Sequence, residues 1–158
     1  MKTLPALAAT ALITLATCAH AQGARDDWPE GTAMHTLYVV GDELEAARSA
    51  LADARDRLLT ALDGDVDEPS PLARAVTSQH ESWLAYRNAD CELAGALTGA
   101  GGAWPSVHGI SCRIEHITQR IKAVHAASIC LRALPSNGAD YERLECLQEL
   151  VDWTMQGN

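Results

Sequence analysis

Apolar residues spaced alternately three and four apart, interrupted at breaks rich in Gly and Pro, constrain this chain more than any other feature. Between residues 42 and 62, Leu44, Ala47, Leu51, Ala54, Leu58 and Ala61 or Leu62 follow that rhythm, which lays them along one stripe of an α-helix. Ser70-Pro71 opens a second helix, since serine caps an N-terminus and proline at the first helical position has no N–H to satisfy. Its stripe uses Leu72, Val76, His80 or Gln79, Trp83, Tyr86 or Arg87, Asp90 and Ala94, and predicts a helix to about Leu97 whose second half is polar for a core element. Residues 98–106 hold Gly99, Gly101, Gly102 and Pro105, which cannot continue a helix at tolerable cost, so Trp104 is expected in an exposed loop. Ile114, Ile117, Ile121 and Val124 predict a third helix over residues 110–134, ended by Pro135. A fourth is expected from about Asp140, with Leu144, Leu147 and Val151 on one face and Tyr141 and Trp153 beside it. The pattern is all-α: a small up-down bundle of about four helices joined by short loops.

The first forty residues follow different rules. Met1-Lys2 is a positive start, residues 4–17 are apolar, and Ala19-His20-Ala21 has the small-x-small pattern of a cleavage site, so residues 1–21 read as a secretory signal. A competing reading makes Cys18 the acylated cysteine of a lipoprotein signal, but Thr17 stands where such signals prefer Gly or Ala. Residues 22–40 form an extension of uncertain structure before the helical domain at 41–158, because Met34 to Val40 suits a short strand or a helical turn equally. Past the signal remain Cys91, Cys112, Cys130 and Cys146, an even set in a chain bound for an oxidising compartment, which predicts a disulfide framework. Three pairings exist, and proximity favours Cys91 with Cys112 and Cys130 with Cys146, each worth on the order of 3 kcal/mol.

The net charge of −9 disfavours nucleic acid and anionic membranes as partners, while a basic partner would be steered inward. No later segment resembles a membrane span. The acids of residues 63–68 alternate like a calcium loop, yet Glu68 and Arg74 stand where an EF-hand needs Gly and Glu, leaving an acidic turn. His108, Cys112 and His116 are spaced by four as zinc ligands could be, but Cys112 has a partner to hand in Cys91, so no metal and no cofactor is expected. Neither a Cys-x-x-Cys, nor a phosphate loop, nor a Gly-x-Ser-x-Gly elbow occurs, and no spacing of His and acids marks a catalytic pair, so the chain reads as a non-enzyme.

One run is chemically dense. Trp83, Arg87, Asp90 and Cys91 share a helix face, with Arg87 able to lie over the Trp83 ring and to reach Asp90. The series Trp83-x-x-Tyr86-Arg87-x-x-Asp90-Cys91, then Gly101-Gly102, then Cys112 followed by Thr118-x-Arg120, resembles the LprI-like lysozyme inhibitors, small secreted bacterial proteins. The resemblance covers roughly residues 72–125. It implies a small helical bundle with Cys91 bridged to Cys112, and gives Trp83, Tyr86, Arg87, Asp90, Thr118 and Arg120 a structural role. The chain departs from the family pattern at His80, usually Gln, and at Asn88, usually an acid.

The resemblance implies a secreted or periplasmic binding protein that occupies the substrate cleft of a basic lysozyme or other cell-wall hydrolase. Trp104, flanked by Gly101, Gly102 and Pro105, is the candidate contact, because Trp is enriched where few residues carry most binding energy. Two alternatives stand beside this: Trp104 folded back over the disulfide as a cap, and a disulfide-stabilised envelope protein with another partner and no lysozyme inhibition.

Overall fold

A computed structural model describes residues 27–63, 68–135 and 140–152; the signal reading, Cys18, most of the acidic turn and Trp153 lie outside them. Four helices and one terminal turn carry the chain: α1 (Ala33–Asp63), α2 (Pro71–Leu97), α3 (Trp104–Ala133), α4 (Asp140–Leu147) and α5 (Glu149–Asp152). α3 is the central rod, packing extensively on α1 and then on α2, whereas α1 and α2 barely touch. Leu44 and Leu51 meet Ile117, while Leu58 and Leu62 join Val124 and Leu131, so α1 runs parallel to α3. Val76 belongs with the latter group and Trp83 with the former, so α2 runs opposite to both. The result is an up-down-up bundle, with α4 and α5 closing one end.

The stripe of α1 buries Leu44, Leu51, Ala54, Leu58 and Leu62 as its spacing predicts. α1 begins nine residues earlier than that stripe, however, and the undecided stretch around Met34 to Val40 forms its first turns, with all its side chains half-buried. Thr32 starts it, its hydroxyl accepting from the His35 N–H at 3.3 Å.

At the head of α2, Ser70 Oγ accepts from the Ala73 N–H at 3.1 Å. The Ser70 N–H in turn donates to Asp63 Oδ2 at 2.7 Å; the Ser70 hydrogen bonds, with Arg143 and Arg74 nearby, hold the Asp63 carboxyl below its usual range. The buried stripe of α2 is Ala73, Val76, His80, Trp83, Arg87, Cys91 and Gly95. It selects His80 over Gln79 and Arg87 over Tyr86. It also corrects two expected positions, because steps of four from Arg87 bring Cys91 and Gly95 inward and leave Asp90 and Ala94 outside.

The fourth predicted helix is broken. α4 ends at Leu147 and α5 starts at Glu149, which turns Cys146, Leu147 and Leu150 inward and leaves Leu144 and Val151, expected on the same face as Leu147, 53% exposed each. Both disulfides form by proximity, Cys91 to Cys112 and Cys130 to Cys146, with Cα atoms 5.5 and 5.4 Å apart. Among the described residues no helix is long and apolar enough to cross a membrane.

Candidate functional site

α2 hands over to α3 at the end of the bundle marked by Cys91 and Cys112. The two helices approach so closely there that a Cβ built on Gly95 would stand 2.5 Å from the Pro105 carbonyl oxygen and 3.4 Å from the Gly109 nitrogen, so only glycine fits. The disulfide lies one turn further in. Between the helices Gly101 and Gly102 are exposed, and Gly102 takes a φ of 65° in the turn. α3 then starts at Trp104 with Pro105 in its first turn, six residues before the start that the isoleucine stripe predicts. Pro105 thus opens a helix instead of breaking one. Trp104 is therefore a first-turn helical residue and not a loop residue. It is 37% exposed, and its ring lies against His108 on the same helix, centroids 6.4 Å apart.

Two turns further in from Cys91, Trp83 is 3% exposed with two guanidinium groups against its ring, Arg87 at 5.2 Å and Arg120 at 5.4 Å from the centroid. His80 stacks on it at 5.8 Å. Burial, and then the charge of Arg120, pushes the His80 imidazole down to about 4, so it is neutral at pH 7. Burial also lowers Arg120 to about 10. Arg120 donates to the Leu150 carbonyl at 2.9 Å and to Gln79 Oε1, tying α3 to α2 and to the terminal turn. The expected stacking of Arg87 on Trp83 is present, but its expected ion pair with Asp90 is not. Arg87 points inward and donates to Asn88 Oδ1 at 2.8 Å, while Asp90 turns outward to His116, Oδ2 to Nε2 3.4 Å. Burial, with the positive charges of Arg48 and Arg113 nearby, lowers the Arg87 pKa.

The remaining motif residues line the outside of this frame. Tyr86 is 55% exposed and meets the His116 ring edge-on at 6.5 Å, and the exposed Thr118 donates its hydroxyl back to the Ile114 carbonyl at 2.9 Å. Of the three residues weighed as zinc ligands, Cys112 and His116 do converge, together with Asp90 and Cys91, while His108 faces Trp104. Both sulfurs of that group are joined in the disulfide.

What the sequence reading passed over is the apolar set left outside at this end. Leu93 and Leu97, 57% and 77% exposed, stand one turn apart on α2, continuing from Tyr86 along its outer face. Their signal was present: they fall off the buried stripe at the spacing of a second stripe, i, i+7 and i+11 from Tyr86. Beside them a cleft of about 370 Å³ runs between α2 and α3, lined by Glu92, Ala96, Pro105, Ser106 and Arg113 among others. Aliphatic and aromatic side chains with a mixed-charge cleft suit binding to another surface.

No curated protein and no solved structure matches the chain. The model of the family described as lysozyme inhibitor LprI matches residues 26–124, which takes in α1, α2, the disulfide Cys91–Cys112 and two thirds of α3. The chain thus belongs to the LprI lysozyme inhibitor family.

Proposed function

We propose that this protein is a secreted or periplasmic inhibitor that binds a basic lysozyme and blocks its substrate cleft. The contact surface we assign is the end of the bundle clamped by Cys91–Cys112. The observation that carries this choice is the exposure at this end of Leu93 and Leu97 on α2 and Trp104 on α3, two helices that the disulfide and the Gly95 approach hold together. Side chains pre-organised on a stiff frame lose little freedom on binding, so apolar area converts to affinity with less loss. Trp104 contributes its exposed edge from the first turn of α3, and the exposed Gly101 and Gly102 let a partner come close. The net charge of −9 favours a basic enzyme through a faster encounter, which added salt slows. Two disulfides suit an oxidising compartment, as does the leader read at residues 1–21.

Titration of the purified protein against a basic lysozyme in a cell-wall lysis assay tests the proposal. Inhibition that saturates at micromolar protein or below is the expected result. Unchanged lysis at that level removes the reading for that enzyme.

A further inference from the structure

The corner where α2 meets α3 at the Cys91–Cys112 bond holds more chemistry than a clamp needs. Asp90 and Cys91 are consecutive on α2, and Cys112 and His116 stand one turn apart on α3, so their side chains converge from two helices. One ligand atom from each, two sulfurs, an imidazole nitrogen and a carboxylate oxygen, lies within 4.8 Å of all the others. Asp90 and His116 are already oriented toward each other at 3.4 Å. Cys91 is fully buried, Cys112 and His116 are partly buried and Asp90 is the most open, so the corner can be reached from the Asp90 side. The other disulfide is an internal contrast: among the described residues Cys130 and Cys146 gather no such set.

We propose that reduction of the Cys91–Cys112 bond converts this corner into a zinc site, with the two thiolates, the His116 imidazole and the Asp90 carboxylate as ligands. Zinc takes four ligands tetrahedrally at about 2.3 Å for sulfur and about 2.0–2.2 Å for nitrogen and oxygen, which sets ligands about 3–4 Å apart. The spread of the four atoms fits that geometry with side-chain rotation. On reduction the two sulfurs must part from covalent contact to about 3–4 Å, which side-chain rotation supplies. Two thiolates and one imidazole select a borderline-soft ion such as zinc over calcium or magnesium.

The conversion balances with a dithiol donor as reductant. One donor thiolate attacks the Cys112 sulfur, which is less buried than Cys91, and the S–S electron pair leaves on Cys91 as a thiolate. The second donor thiol then attacks its own mixed disulfide, releasing Cys112 as a thiolate and the donor as its disulfide. Zinc takes the place of the two thiol protons, which pass to water. The disulfide and the metal therefore exclude each other, and each holds α2 against α3 in its own redox state.

The test uses the full chain, reduced with a phosphine, freed of reductant without oxygen, and titrated with zinc against a chromophoric chelator. The reduced protein is expected to bind one zinc per chain and the oxidised protein none. Cobalt in place of zinc gives the visible bands of a tetrahedral thiolate site. His116→Ala weakens zinc at least about tenfold, in line with loss of one ligand, while the double variant Cys130→Ser, Cys146→Ser binds as the parent does. No stoichiometric zinc in the reduced chain overturns the proposal, whether or not its helical circular dichroism survives reduction. Binding that is indifferent to His116, or lost with Cys130 and Cys146, overturns it equally. Lysozyme inhibition enters neither readout.

Discussion

At one end of the bundle Cys91–Cys112 joins two long helices across a glycine-bearing turn; at the other Cys130–Cys146 ties the short α4 to the last turn of α3. The first end closes by backbone approach at Gly95 with Val107 buried beside it, while Leu93, Leu97 and the edge of Trp104 face outward. The second closes by filling. Val76, Leu131, Cys146, Leu147 and Leu150 are buried together there, and Arg120 and Gln79 satisfy the carbonyl of Leu150. An apolar groove of about 310 Å³ remains between α2 and the terminal turns, lined by Leu72, Leu144, Leu147 and Val151 among others. The family match ends at residue 124, so it includes the first disulfide and stops short of the second. Both ends leave apolar side chains exposed, Leu93 and Leu97 at one and Tyr141, Leu144 and Val151 at the other; the difference teaches that the first is built on a close backbone approach and the second on side-chain filling.

The largest expected effect is at Gly95. Replacing it with Val drives a side chain into the Pro105 carbonyl and forces the helices apart, which costs about 3 kcal/mol or more by overpacking and is read from urea unfolding. Next come the disulfides, whose loops close across separations of 21 and 16 residues; removing either by paired Ser substitution lowers stability by about 3 kcal/mol. The pair separates in function. On the proposed function, loss of Cys91–Cys112 under oxidising conditions should weaken inhibition in the lysis assay, and loss of Cys130–Cys146 should leave the inhibition of the folded fraction unchanged.

His80 probes the junction between the ends. Its folded pKa of about 4 lies below the unfolded 6.5, so the unfolded chain binds the proton first. The stability it contributes is complete above pH 6.5 and is lost as pH falls toward 4, on the order of 2–3 kcal/mol. Unfolding at pH 7 and pH 4 should show that loss in the parent, and His80→Gln should remove most of it. Smallest is Leu97→Ala: at 77% exposure its change in stability is within about 0.5 kcal/mol, while its inhibition constant rises.

Much of this was legible in the sequence because helical periodicity is a local property. The stripe of α1, the Ser70 cap and the course of α2 follow from spacing and capping alone. What escaped is decided by tertiary contact. Pro105 is a breaker or a first-turn residue depending on the turn before it, and spacing alone does not say which; in the structure it opens α3, with its carbonyl against Gly95. Asp90 sits three residues from Arg87, as a helical ion pair should, but burial turns Arg87 toward Trp83 and leaves Asp90 to His116 on another helix. Leu93 and Leu97 lie off the buried stripe, so helical periodicity, which marks the inward face, gives them no role; they define a face by being outside.

The most direct test sets the two ends against each other in the lysis assay. A Leu93→Asp, Leu97→Asp variant changes the end clamped by Cys91–Cys112, and a Leu144→Asp, Val151→Asp variant changes the groove at the opposite end; all four positions are more than half exposed. With both variants shown by circular dichroism to be folded, the first should lose inhibition and the second should match the parent. Inhibition that survives in the first and disappears in the second would contradict the assignment.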